Sequence, residues 1–179
     1  MEKSQIQGTE LWVSPFGLGT ADAGVAWREE DTEKIFGTYL DLGGNVIDTA
    51  HVYSDWVPPE TSRSERVIGD WLARTKKRNE IVLVTKGGHP SMLGENPDMH
   101  KSRMRREDMA EDLDSSLMKL RTDHIDLYFY HRDDVTIPVE ETVEVMEDFV
   151  RQGKIRYYGC SNWTPERMKA ADAYCKEKG

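Results

Sequence analysis

The 179-residue chain predicts an α/β protein built on a parallel sheet, as part of a TIM (β/α)8 barrel. Three observations carry this. Apolar, β-branched or aromatic runs alternate five times with segments whose apolar residues recur at helical spacing. Each connection between successive strands is long enough for a parallel crossover. Three consecutive strands also run into an ionisable side chain at their carboxyl ends, Asp48, Lys86 and His131, which is where a barrel displays its chemistry. An open doubly wound sheet is disfavoured, because Gly17-Leu18-Gly19-Thr20 lacks the third glycine and the following helix of a dinucleotide fingerprint, and no Walker loop occurs. Eight βα units take about 250 residues. Residues 1–179 are therefore expected to form a single domain supplying about five consecutive units, and to be a truncated or incomplete portion of a longer barrel.

Taken in order, residues 11–20 read as a short apolar strand thinned by Gly17 and Gly19, which suits close approach by a ligand. Residues 21–30 are a loop. From Asp31 a helix presents Ile35, Phe36, Tyr39 and Leu40 on one face, with Gly43 placed to cap it. Asn45 to Thr49 is the second strand. After a connection containing Trp56 and Pro58-Pro59, Ser62-Arg63-Ser64-Glu65 has capping-box spacing, and the helix it opens aligns Val67, Ile68, Trp71 and Leu72. The strand Ile81 to Lys86 leads into a long irregular loop, roughly 87–103, a length that is usually functional or disordered. A helix from about Glu107 buries Met109, Leu113, Leu117 and Leu120. The aromatic strand Ile125 to His131 precedes a helix with Pro138 in its first turn and Gly153 at its end. Ile155 to Cys160 is the fifth strand, and Thr164-Pro165 caps and opens a last helix.

Composition limits the function classes. With 37% apolar and 32% charged residues and a mean hydropathy of -0.69, the chain reads as a soluble globular protein. A net charge of -9 argues against a nucleic-acid partner, and the one basic cluster, Lys101 to Arg106, reads as a solvated loop. Cys160 and Cys175 are too few for a disulfide framework, no apolar run reaches membrane-spanning length, and the N-terminus shows no signal-peptide hydrophobic region, so a cytoplasmic setting is expected. His51 and His89 lie near the strand ends without a carboxylate or cysteine spacing that would complete a metal set, so no metal is expected.

Asp48, Tyr53, Lys86 and His131 are the candidate catalytic residues. Singly, an Asp in a turn, a half-buried Tyr, a snorkelling Lys and a core His need no special explanation. Together at three successive strand ends, they are hard to attribute to packing. Trp27, Trp56 and Met92 are candidates for an apolar substrate wall, and equally for covers over core edges.

The segments Phe16 to Thr20, Gly43 to Tyr53, Val84 to Gly88, Ile125 to Arg132 and Gly153 to Asn162 closely resemble the aldo-keto reductases, in order and spacing, over nearly the whole chain. The resemblance implies a (β/α)8 barrel that reduces aldehydes and ketones with NADPH, less often NADH. It implies that Asp48, Tyr53, Lys86 and His131 form the family's tetrad, that Ser161 and Asn162 hold the nicotinamide carboxamide, and that Gly19, Thr20 and Asp48 meet the cofactor. The grips on its phosphates and adenosine would lie beyond Gly179. In such a site Tyr53 would give a proton to the alkoxide, Lys86 would favour the phenolate, Asp48 would aim Lys86, and His131 would donate to the carbonyl oxygen. A non-catalytic reading is also open, since potassium-channel β subunits resemble this family. Five units leave two open sheet edges, which would call for a partner, a swap, a homo-oligomer or the missing residues.

Overall fold

A computed structural model describes residues 1–178. The chain opens with a two-stranded antiparallel hairpin, β1 (Ser4–Gln5) and β2 (Trp12–Val13). There follow β3 (Gly17–Gly19), α1 (Glu29–Asp41), β4 (Val46–Asp48), α2 (Arg63–Thr75), β5 (Val82–Gly87), α3 (Arg106–Leu120), β6 (Ile125–Tyr130), α4 (Val139–Arg151), β7 (Ile155–Cys160) and α5 (Pro165–Lys178). Strands β3 to β7 form one parallel sheet in chain order, with β3 and β7 at its edges. Consecutive neighbours with helical crossovers are the arrangement of a barrel wall rather than of a doubly wound sheet, whose strand order reverses.

The hairpin departs from the expected single strand over residues 11–20. Pro15 has no N–H for a ladder, so the run divides into β2, which turns back on β1, and β3, which joins the parallel sheet. The Asn45 side chain ties the two parts together, accepting from Ser14 N at 2.8 Å and donating to Trp12 O at 2.8 Å.

Alternation along the strands divides the sheet into two faces. Ile47, Leu83 and Tyr128 pack towards the helices, in a core with Phe36, Ile68, Trp71, Met109, Leu113, Leu120, Met146 and Phe149. The ring of Phe36 meets that of Trp71 edge-on at 4.9 Å, which locks α1 onto α2. The opposite face carries Val46 and Asp48, Val84 and Lys86, and Phe129. Register pairs Asp48 with Val84 and Lys86 with Phe129, so Lys86 lies one pleat beyond Asp48 on the same face, at the carboxyl end of the sheet.

Two further expectations give way to tertiary packing. The capping box at Ser62–Glu65 does not form: Ser62 sits at φ +50° with its hydroxyl buried and unpartnered, and its N–H donates to the Asp55 carboxylate. Glu65 instead points into the α2–sheet layer, where it accepts from Thr85 Oγ1 at 2.6 Å. The basic cluster is solvated only in part: Lys101, Arg105 and Arg106 are exposed, but Met104 is buried and Arg103 joins Asp108, Glu111 and the buried Asp112.

Candidate functional site

The carboxyl end of the sheet gathers residues far apart in sequence. Beyond β4 the backbone keeps pairing with β5, Thr49 N to Val84 O at 2.9 Å and His51 N to Lys86 O at 3.0 Å, and it then turns back through Tyr53 N to Ala50 O at 3.0 Å. That return places the Tyr53 ring above Lys86, whose Nζ lies 4.9 Å from the ring centroid. The Lys86 side chain is 11% exposed and points all its hydrogens inward. Nζ donates to Asp48 Oδ1 at 2.8 Å, to Thr49 O at 2.8 Å and to Tyr53 Oη at 3.3 Å. Since the phenol oxygen accepts from the ammonium, its own O–H remains available to a fourth group.

His131 follows β6 and is held by its backbone, with its N–H donating to Gly87 O at 2.8 Å and its carbonyl accepting from Asn162 Nδ2 at 2.8 Å. Its ring lies 5.8 Å from that of Tyr53 and 4.9 Å from that of His89. Burial, then the neighbouring His89, Lys86 and Arg132, press its pKa down to about 3, so the imidazole is neutral at physiological pH. Nδ1 is buried without a partner.

Ser161 and Asn162 follow β7, with Ser161 N bonded to Tyr130 O at 2.8 Å and Asn162 at φ +66°. The Asn162 amide nitrogen donates to His131 O and to Ser161 Oγ, which leaves the exposed Oδ1 as an acceptor. An amide acceptor beside a hydroxyl suits a carboxamide such as that of nicotinamide. Gly19 presents open backbone, since a Cβ there would meet nothing within 4 Å. Thr20 differs in kind: it is buried, and its hydroxyl bonds Asp48 O at 2.9 Å and Ser64 Oγ at 2.9 Å, so it braces the Asp48 backbone rather than facing a ligand.

The residues considered for a substrate wall are spread out. Trp27 rests against α1 beside Asp31, Lys34 and Ile35, Trp56 is exposed, and Met92 is half-buried in the loop after β5. The clefts beside the site are lined by others. One holds His51, Asp55, His89 and Arg103, and another, of about 530 Å³, holds Met99, His100, Met104, Arg132 and Val135. The long loop that lines both is anchored on α3, where Asp112 accepts from Gly88 N at 2.8 Å and from Arg103. Loop position was the only available sequence signal for these residues, and nothing local marks Asp112 as their anchor. Among the described residues no His, Cys, Asp or Glu cluster is arranged to hold a metal, and no helix is long and apolar enough to cross a membrane.

Comparison with known proteins agrees with this architecture. The family model described as Aldo/keto reductase family matches residues 15–179. The Aldo-keto reductase YhdN of Bacillus subtilis (strain 168) is 36% identical over 174 residues, covering 94% of this chain and 49% of that protein. An aryl-alcohol dehydrogenase of Phanerodontia chrysosporium, whose name specifies NADP(+), is 30% identical over 187 residues, covering 96% of this chain and 46% of that one. Among solved structures, the holo form of the aldo-keto reductase AKR11C1 from Bacillus halodurans superposes with a TM-score of 0.78 at 31% identity, over 94% of this chain and 53% of that one. The chain spans about half the length of the curated relatives it matches. With its five-stranded parallel wall matching that structure, the chain belongs to the aldo/keto reductase family.

Proposed function

We propose that residues 1–179 are a single structural unit carrying the reactive half of a nicotinamide-dependent carbonyl reductase, with Tyr53 as the proton donor. The observation that supports this most directly is the Lys86 ammonium, placed 2.8 Å from Asp48 and 3.3 Å from the Tyr53 oxygen. A bound nicotinamide cofactor supplies hydride to the carbonyl carbon. Tyr53 gives its proton to the carbonyl oxygen, and the phenolate left behind sits against the Lys86 ammonium. Asp48 and Thr49 O hold that ammonium in place. Neutral His131 orients the carbonyl by donating a hydrogen bond, and Ser161 and Asn162 take the carboxamide.

NADPH is the proposed cofactor, in keeping with the NADP(+) in the name of the Phanerodontia chrysosporium relative. The proposed substrates are small aldehydes and ketones, and the two free cysteines suit a reducing cytosol. The test is reduction of an aromatic aldehyde followed by loss of NADPH absorbance. Tyr53→Phe is expected to abolish turnover while changing NADPH affinity less than a few-fold, because only a hydroxyl is lost. A variant retaining a tenth of the normal rate would overturn the role of Tyr53.

A further inference from the structure

Neither nitrogen of the His131 ring makes a hydrogen bond to another described residue, and Nδ1 is buried without a partner. A catalytic imidazole normally has its orientation set by a bond at its second nitrogen. Here the nearest support is another ring, His89, at 4.9 Å and tilted 52°. His89 itself is tied at both ends, with Nδ1 2.7 Å from Pro90 O and Nε2 3.0 Å from Arg132 Nη2. A carbonyl only accepts and a guanidinium only donates, so the proton must lie on Nδ1 and Nε2 must be a bare acceptor. A second proton would break the Arg132 bond and set two cations side by side, and burial also holds the His89 pKa down. The ring is therefore neutral, of one tautomer, and 9% exposed.

Arg132 is exposed and next to His131 in the chain. Among the described residues it has no carboxylate partner: Asp133 is taken by Arg167 at 2.7 Å, and Asp134 accepts from Thr136. Its charge therefore acts on both histidines, opposed at His89 by the Asp55 and Asp112 carboxylates. The groups that face His131 are Lys86 on β5, Tyr53 after β4, His89 in the loop after β5, and Arg132 on its own loop.

We propose that His89 and Arg132 are positioning residues for His131: the guanidinium fixes the His89 ring, and that ring holds the His131 imidazole in the site. The role of His131 in orienting a carbonyl rests on the function proposed above, whereas the mechanical claim does not. The test is a pH titration of the labelled His131 imidazole by NMR in the full chain, with kinetics alongside. In Arg132→Met, an exposed change compatible with folding, His131 should take up a proton at higher pH than in wild type, and its ring signals should broaden or shift at neutral pH. His89→Leu should also shift the ring signals. His89→Gln, which can still accept from Arg132, should restore them in part. In aldehyde reduction, kcat should fall about tenfold in Arg132→Met with NADPH affinity unchanged, as for a misplaced reacting group. Unaltered His131 titration and ring signals in both Arg132→Met and His89→Leu would overturn the proposal. If wild type reduces no aldehyde, the NMR result still decides the positioning claim, and only the functional reading fails.

Discussion

Lys86 commits all three ammonium hydrogens within the site, to a carboxylate, a carbonyl and a phenol oxygen. A hydrophobic side chain of similar length cannot serve any of these acceptors. Lys86→Met is therefore expected to lower kcat by about a hundredfold or more, within the range typical of proton-transfer groups, while the far-ultraviolet circular dichroism is unchanged. A rate within a few-fold of normal would make Lys86 a structural lysine. Glu65 is the other residue with an unusual environment. It is fully buried with one oxygen bonded to Thr85 and the other unpartnered, and burial raises its pKa despite the opposing influence of His51 and Lys119. A carboxyl whose pKa is raised by folding contributes stability at low pH, and that contribution is lost as pH rises through the folded value. Glu65→Gln should therefore gain on wild type as pH rises above the ordinary carboxylate range, measured by urea unfolding at pH 5 and at pH 8. Equal differences at the two pH values would show that Glu65 does not titrate differently in the folded state.

At the scale of elements, the site depends on how closely α2 and α3 approach behind β5. Gly69 on α2 faces the end of α3, where a Cβ would lie 2.0 Å from Lys119 O and 2.9 Å from Leu120 C. These are backbone atoms and cannot rotate away. Gly69→Ala should thus cost about 1–3 kcal/mol by overpacking, although alanine is the better helix former. Thermal or denaturant unfolding reads this directly, and a neutral or stabilising result would mean that the two helices can separate freely. The same helix pair supports the site from behind. Asp112 on α3 holds Gly88 and Arg103, the two ends of the loop between β5 and α3, so α3 governs the shape of both clefts beside Tyr53 and His131.

At the scale of the whole molecule, β3 and β7 each have one neighbour in the parallel sheet. The relatives are about twice as long as the matched region. In the proposed function Ser161, Asn162 and Gly19 meet only the nicotinamide end of the cofactor. A 179-residue chain of this sequence is therefore expected to bind NADPH weakly, with a dissociation constant above about 100 μM, since the nicotinamide end alone contributes only part of the binding free energy. It should also associate through the strand edges. Fluorescence titration combined with light scattering tests both points. A monomer that binds in the low micromolar range would show that five βα units form a sufficient site.

Much of this was readable from the sequence because it is periodic or local. The alternation of strand and helix, the helix face of α2, the capping of α5 by Thr164 and Pro165, and the placement of Asp48, Lys86 and His131 at strand ends all follow from residues within a turn or a strand of one another. The five-residue spacing from Asp48 to Tyr53 also pointed to a shared site, although only the paired backbone of residues 49–51 brings the phenol over Lys86. The rest was decided by segments that meet across long stretches of chain. Ser62 and Glu65 have the spacing of a capping box, yet Thr85, twenty residues on, and Asp55 claim them. Arg103 looks like loop solvent charge until Asp112 is buried beneath it. Thr20 and Ser64 are 44 residues apart and bond each other inward, and His89 is fixed by Arg132 from 43 residues away. Sequence pattern reports which face of an element is apolar. Which polar groups are buried together, and hence which bonds they must make with one another, is set only once the elements pack and exclude water.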